Sequence, residues 1–370
     1  LSPPDSEQLS WLCLTNVQGL GGAALRKLFS AFGLPAQVLA QPERALAQVI
    51  GTELARAVRQ ASQAGTGAFE PTLAWLTKPD CHLLTLADAS YPALLLQTDD
   101  PPAVVFARGR LDLLSQPTLA MVGSRHATAQ GLRDARAFAH ALSDGGLTIV
   151  SGLALGIDTA AHEGALLGQA KTIAVLGTGI DQIYPARNAS LFEKIASEGL
   201  LLSEYPLGAP PLTHHFPRRN RLISGLSRGC FVIEAALNSG SLITARYATE
   251  QGREVFALPG SIHSPLSRGC HALIKQGAKL VDRMEDVLSE LGVWPAMATT
   301  PASSNTAKQN PIITPEDAAL LAHLGYAPMD LDTLCLRTGH SAETLSAVLL
   351  QLELDGKITM LPGGRVQRLS

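Results

Sequence analysis

Between residues 118 and 258 this chain repeats one pattern six times, and that pattern limits its fold more than any other feature. Short runs of apolar, often β-branched residues stand at Thr118–Gly123, Leu147–Ser151, Lys171–Leu176, Leu200–Glu204, Cys230–Glu234 and Glu254–Leu258. Helical stretches follow at Gln130–Leu142, Ile157–Leu167, Ala189–Ser197, Leu242–Gln251 and Cys270–Gln276. Strands apolar on both faces, alternating with helices, predict a parallel sheet covered on both sides. The expectation is an α/β, Rossmann-like doubly wound sheet, with its strand order left open. Ligands of such sheets bind beyond the carboxyl ends of the strands, where loops enter helix N-termini.

At 370 residues the chain has room for two or three domains. The pattern divides it into a helical segment (1–75), the α/β region (76–294), a linker without periodicity or large apolar residues (295–312) and a C-terminal segment (313–370). Hydrophobic residues make up 46% of the chain, which is too much for a disordered protein. No apolar run approaches the ~18 residues of a membrane-spanning helix, and no secretory signal is visible. The five cysteines are scattered, with no C-x-x-C pair, so a reducing cytoplasm is expected rather than a disulfide framework or zinc knuckle.

The formal net charge of -3 conceals an uneven distribution. From Tyr205 to Val281 nine basic residues face three acidic ones, a local excess of six. The densest part is Phe216-Pro217-Arg218-Arg219-Asn220-Arg221, with no acid between Tyr205 and Ile233. Arginine forks match phosphate oxygens, and a phenylalanine face can stack a base. The plainer alternative is a solvated turn with Phe216 in the core. A merely solvated turn would mix both signs of charge, so an anion site is favoured. Arg125, at the end of the first of these strands, approaches the same edge.

The loops at the strand ends are rich in glycine and small hydroxyl residues: Gly123-Ser124-Arg125, Ser151-Gly152-Leu153-Ala154, Gly177-Thr178-Gly179 and Ser239-Gly240-Ser241. Glycine lets a backbone approach an anion closely, so together these loops predict a phosphate-binding surface. Gly177-Thr178-Gly179 lacks the third glycine of a dinucleotide fingerprint, and no P-loop is present. Asp158 and His162, one helical turn apart, have the spacing of a catalytic pair. A carboxylate at a helix start and a hydrogen-bonded packing histidine are the favoured reading. Cys270 is expected to be a small buried side chain and His214-His215 a loop. No cofactor or metal is expected.

Several of these segments together resemble the DprA/Smf family (DNA-processing protein A). They are Gly123-Ser124-Arg125, Ser151-Gly152-Leu153-Ala154-x-Gly156-Ile157-Asp158-x-x-Ala161-His162, and Ala174-Val175-Leu176-Gly177-x-Gly179-x-Asp181-x-x-Tyr184-Pro185. Phe216-Pro217-x-Arg219-Asn220-Arg221 and Ser239-Gly240-Ser241-Leu242-Ile243-Thr244 follow in order. The resemblance implies a non-enzymatic cytoplasmic protein that binds single-stranded DNA, protects it, and loads the RecA recombinase onto it during natural transformation. It also implies a homodimer with no membrane association. The DNA pocket would be lined by Arg125, Phe216, Arg218, Arg219, Asn220 and Arg221, with contacts from Ser124, Ser151, Gly152, Ser239, Gly240 and Ser241. The rival reading is a Rossmann-like nucleotide enzyme of the phosphoribohydrolase kind.

The flanking segments fit the same picture. Gln18-Gly19-Leu20-Gly21-Gly22 resembles a helix-hairpin-helix turn within a small helical domain. At the other end, helix Leu331–Arg337, turn Thr338-Gly339-His340, helix Ser341–Leu354 and a hairpin with a Gly363-Gly364 turn predict a winged helix. Its second helix has no Lys or Arg between Ser341 and Asp355, so protein contact is expected there rather than specific duplex binding.

Overall fold

A computed structural model describes residues 6–63, 67–293, 320–321, 323–324, 328–361 and 363–369. The linker expected at 295–312 lies outside the described residues. The chain divides into two compact units, Leu1–His126 with Ala135–Trp294, and Ala127–Asp134 with Pro295–Ser370.

The first unit opens with five helices, α1 (Ser6–Thr15), α2 (Gly22–Phe32), α3 (Pro35–Leu39), α4 (Glu43–Ile50) and α5 (Thr52–Gln63), followed by α6 (Glu70–Leu76). Apolar residues spaced three or four apart turn inward, so Leu14, Leu25, Leu28, Val38, Leu46 and Val58 form a core of their own. Trp11, Leu12 and Trp75 instead pack with Phe106, Phe192 and Leu201 of the α/β region. The N-terminal helices thus have a core of their own, and α1 and α6 also pack on the α/β region.

The sheet contains β1 (Cys81–Thr85), β2 (Val104–Gly109), β3 (Thr118–Gly123), β4 (Thr148–Ser151), β5 (Thr172–Val175), β6 (Leu200–Ser203), β7 (Gly229–Ile233), β8 (Glu254–Ala257) and β9 (Lys279–Leu280). Its order is β1-β2-β6-β5-β4-β3-β7-β8-β9, parallel from β6 to β9. β2 runs antiparallel to both β6 and β1. The connecting helices are α7 (Ala93–Leu96), α8 (Ala129–Asp144), α9 (Ile157–Leu167), α10 (Ala189–Glu198), α11 (His215–Gly225), α12 (Ser241–Glu250), α13 (Arg268–Lys275) and α14 (Met284–Glu290). All six expected strands form. Every residue of β4, β5, β6 and β7 is buried, as two-sided cover requires.

The chain steps from β3 to β6 in one direction, then returns to lay β7 on the other side of β3. This reversal puts the topological switch point at the carboxyl ends of β3 and β7. No helix among the described residues is long and apolar enough to cross a membrane.

The second unit contains β10 (Met329–Asp330), α15 (Leu331–Thr338), α16 (Ala342–Leu354), β11 (Ile358–Leu361) and β12 (Arg365–Arg368). Asp330 caps α15 by accepting from Thr333 N–H, and Ser341 caps α16 by accepting from Thr344 N–H. Gly339 ends α15 with φ 72°, a left-handed turn that favours glycine. Leu334, Leu345, Leu349, Leu352, Ile358 and Val366 make the core, and β11 pairs antiparallel with β12. The result is a winged helix. On the outer side of α16, Leu350 and Leu354 are exposed.

Candidate nucleic-acid interface

The carboxyl edge of the sheet is built in two levels. The lower level is buried. Arg219 is only 3% exposed, and its Nη1 donates to the carbonyls of Gly152, at 2.6 Å, and Val175. A Cβ on Gly152 would stand 2.5 Å from that guanidinium, so the glycine makes room for arginine rather than for an anion. Beside it, Asp158 accepts from the amides of Gly152 (3.1 Å) and Ala154 (3.4 Å) and so fixes the β4 loop. Burial pushes the Asp158 carboxyl up, opposed by Arg219 and those two amides. Burial likewise pulls Arg219 down to about 10, opposed by Asp158.

Both ring nitrogens of His162 bond to groups other than Asp158. Thr172 donates its hydroxyl to Ile149 O at 2.7 Å, so it accepts from His162 Nδ1–H at 2.7 Å. His162 Nε2 is then the acceptor for Leu153 N–H at 3.3 Å. Burial, reinforced by Arg219, depresses this imidazole to about 3, so it is neutral. The helix-start carboxylate and the packing histidine anticipated from sequence are therefore what the fold contains. Cys270 is buried, donates weakly to Val232 O at 3.6 Å and is pushed up to about 11 by burial. His215 stacks on Tyr205 at 3.9 Å and contacts Gly177 O at 3.1 Å.

The upper level is open. The Arg125 guanidinium lies over the Phe216 ring, 5.8 Å from its centre, and Tyr184 meets the same ring at 5.4 Å with a 39° tilt. Cation–π attraction and the aromatic pair hold the three together across loops from β3, β5 and the start of α11. A Cβ on Gly177 would come within 2.8 Å of Phe216, so this glycine too is a seat for a side chain. Arg125, Arg218 and Tyr184 are exposed, while Phe216 and Asn220 are half-buried. Asn220 reaches Gly240 O at 3.4 Å, and Ser239 and Ser241 share a hydroxyl contact of 2.6 Å at the start of α12.

The structure thus separates residues that the sequence grouped together. Arg125 and Phe216 meet on the open level with Tyr184; Asn220 reaches exposed Gly240, and Arg218 is exposed on α11 with its Nε 3.7 Å from Glu204. Arg219 belongs to the interior, because its Nη1 is committed to two carbonyls and its Nε donates to Asn220 Oδ1 at 3.2 Å. Ser151 donates to Met121 O at 2.6 Å within the sheet, and Gly152 is buried. Ser124 is buried too, with its amide on Glu234 O at 2.7 Å, so the two strand ends at the switch point bind each other.

Arg221 also departs from expectation. It donates to Glu204 Oε2 at 2.5 Å and to Asp100 O at 2.6 Å, with its side chain 12% exposed. Glu204, with its side chain 5% exposed, lies one residue before the acid-free window read from the sequence. Burial pushes the Glu204 carboxyl up, opposed by Arg221 and then Arg218. Tyr184, Glu204 and Asp100 were missed as parts of the site. Only Tyr184, inside a quoted motif, left a signal there. No group of acids, histidines and cysteines suited to a metal occurs among the described residues.

At its carboxyl edge this is a Rossmann-like protein that presents side chains, not a backbone cradle. The family model for DNA recombination-mediator protein A matches residues 82–292, and the DprA winged helix domain matches 298–364. Protein Smf of Escherichia coli is 45% identical over 304 residues, covering 81% of each chain. DNA processing protein DprA of Streptococcus pneumoniae is 52% identical over 206 residues, 56% of this chain and 73% of that one. The solved structure of DprA from Streptococcus pneumoniae superposes with a TM-score of 0.69 at 40% identity, covering 76% of this chain and 97% of that one. DNA processing protein A from Helicobacter pylori, whose single-stranded DNA binding mode its structure describes, gives 0.52 at 33% identity, covering 57% and 95%. The chain belongs to the DprA/Smf family.

Proposed function

We propose that this protein binds single-stranded DNA on the open level of the carboxyl edge, without chemistry of its own, and passes the strand to a RecA-type recombinase. The single observation that carries the reading is Arg125 lying over Phe216 with Tyr184 alongside. That group offers a cation for phosphate and aromatic surface for bases. Arg218 and Asn220 extend the polar rim from the start of α11. Stacking and phosphate contacts tolerate any sequence, so selectivity is for single strands over duplex. A duplex keeps its base faces stacked and cannot offer them to Phe216. Protection of the strand, homodimerisation and RecA loading are part of the same proposal and rest on family membership.

The test is competition. Labelled oligo-dT bound to the protein is challenged with unlabelled single strand and with duplex of equal length. Displacement by single strand at much lower concentration supports the reading, and equal displacement opposes it. Incubation with nucleoside monophosphates tests the rival enzyme reading: release of free base would favour it.

A further inference from the structure

Arg221 is the middle of a chain of charges that begins far from the sheet edge, in the N-terminal helices. Arg26 of α2 donates to Asp99 O and lies 3.8 Å from the Asp100 carboxylate. Asp100 in turn holds Arg221, through its carbonyl at 2.6 Å and its carboxylate at 3.8 Å. Arg221 then neutralises Glu204 Oε2 at 2.5 Å. The other oxygen, Glu204 Oε1, is buried without a hydrogen bond among the described residues, 3.7 Å from Arg218 Nε. A second feature fixes the same carboxylate: a Cβ on Gly22, at the start of α2, would stand 2.1 Å from Asp100 Oδ1. Gly22 thus leaves space that Asp100 fills.

We propose that Asp100 is a positioning residue through which the N-terminal helices hold Arg221 on Glu204 and so leave Arg218, 3.7 Å from Glu204 Oε1, only loosely paired and able to turn to DNA. A buried carboxylate needs a cation. While Arg221 is clamped, Glu204 has one, and Arg218 stays at the surface with its side chain 57% exposed. If the Asp100 carboxylate is displaced, Arg221 keeps the Asp100 carbonyl but loses the carboxylate's charge, and Glu204 draws the adjacent Arg218 into a closer pair. The open level then loses one phosphate contact although no residue there has changed. This inference rests on the proposed single-strand binding.

Two variants test it by oligo-dT anisotropy. Gly22→Ala alters no charge, and alanine is a better helix residue than glycine. It forces Asp100 aside. Asp100→Asn removes a negative charge, which on electrostatics alone would tighten DNA binding. We expect both to weaken it. For a single strand, losing one phosphate contact lowers affinity about fivefold at 0.1 M salt, since each contact contributes ~0.7 to the log–log salt slope. In an Arg218→Ala background Gly22→Ala should have no further effect, because the contact it withdraws is already gone. A general loss of structure would lower affinity in both backgrounds, so an equal loss in both overturns the inference. Wild type that binds, with Gly22→Ala unchanged or Asp100→Asn tighter, also overturns it while leaving single-strand binding intact. Wild type that does not bind oligo-dT overturns both.

Discussion

Arg219 provides a sharp test of the division between a buried and an open level at the sheet edge. Its guanidinium is 3% exposed and donates to Gly152 O and Val175 O, the carbonyls that close the β4 and β5 ends. Arg219→Ala removes both bonds and leaves the buried Asp158 without its neighbouring cation. Hydrogen bonds to charged groups are worth about 1.5–3 kcal/mol each, so two amount to about 3–6 kcal/mol. That is a large share of the ~5–15 kcal/mol by which domains are stable. At an m-value near 3 kcal/mol/M the urea midpoint would fall by about 1–2 M. Trp11 and Trp75 are both buried in this unit, so tryptophan fluorescence reports the transition. A midpoint within about 0.3 M of wild type, together with a flattened salt slope of DNA binding, would refute the reasoning. It would mean that Arg219 turns outward to phosphate.

Two further expectations follow from the same geometry. Phe216→Ala should reduce oligo-dT affinity by about 1–3 kcal/mol, or roughly 5- to 150-fold, with little change in salt slope, because it removes stacking but no charge. Anisotropy at two or three salt concentrations distinguishes these effects. His162 should make stability pH-dependent in a stated direction. Its folded value, about 3, lies below the unfolded 6.5, so between these the unfolded chain binds more protons. The stability it contributes is complete above pH 6.5 and is lost below it by about 1.4 kcal/mol per pH unit until about pH 3. His162→Gln should remove that part of the slope, as seen in denaturation midpoints from pH 7 to 4.

Much of the fold was legible because the central strands carry a redundant signal. β3 to β7 are largely apolar runs, and burial on both faces demands them; β8 keeps only Phe256 and Ala257 fully buried. β1, β2 and β9 were not anticipated. Two of them form the antiparallel edge beside β6, outside the strand–helix alternation that marked the others, and the third is only two residues long. Strand order depends on which neighbour each strand pairs with, and periodicity does not encode that. Of the residues proposed for the site, Arg125, Phe216, Arg218 and Asn220 could be named from sequence because charge and aromatic character are visible residue by residue. The burial of Arg219 and Arg221 was not visible. Its causes are the carbonyl of Gly152, 67 residues away, and Asp100, 121 residues away. The glycines were read as room for an anion. Gly152 and Gly177 prove to be room for Arg219 and Phe216, a distinction that only packing reveals.

The most direct test of the central claim compares wild type and Arg125→Ala in oligo-dT anisotropy across a salt series. The account predicts tight, salt-dependent binding by wild type. For the variant it predicts affinity about fivefold weaker at 0.1 M salt and a log–log slope flatter by about 0.7, the value of one single-strand phosphate contact. A folded Arg125→Ala protein with unchanged affinity and unchanged slope would contradict it, because the open level would then not be where the DNA lies.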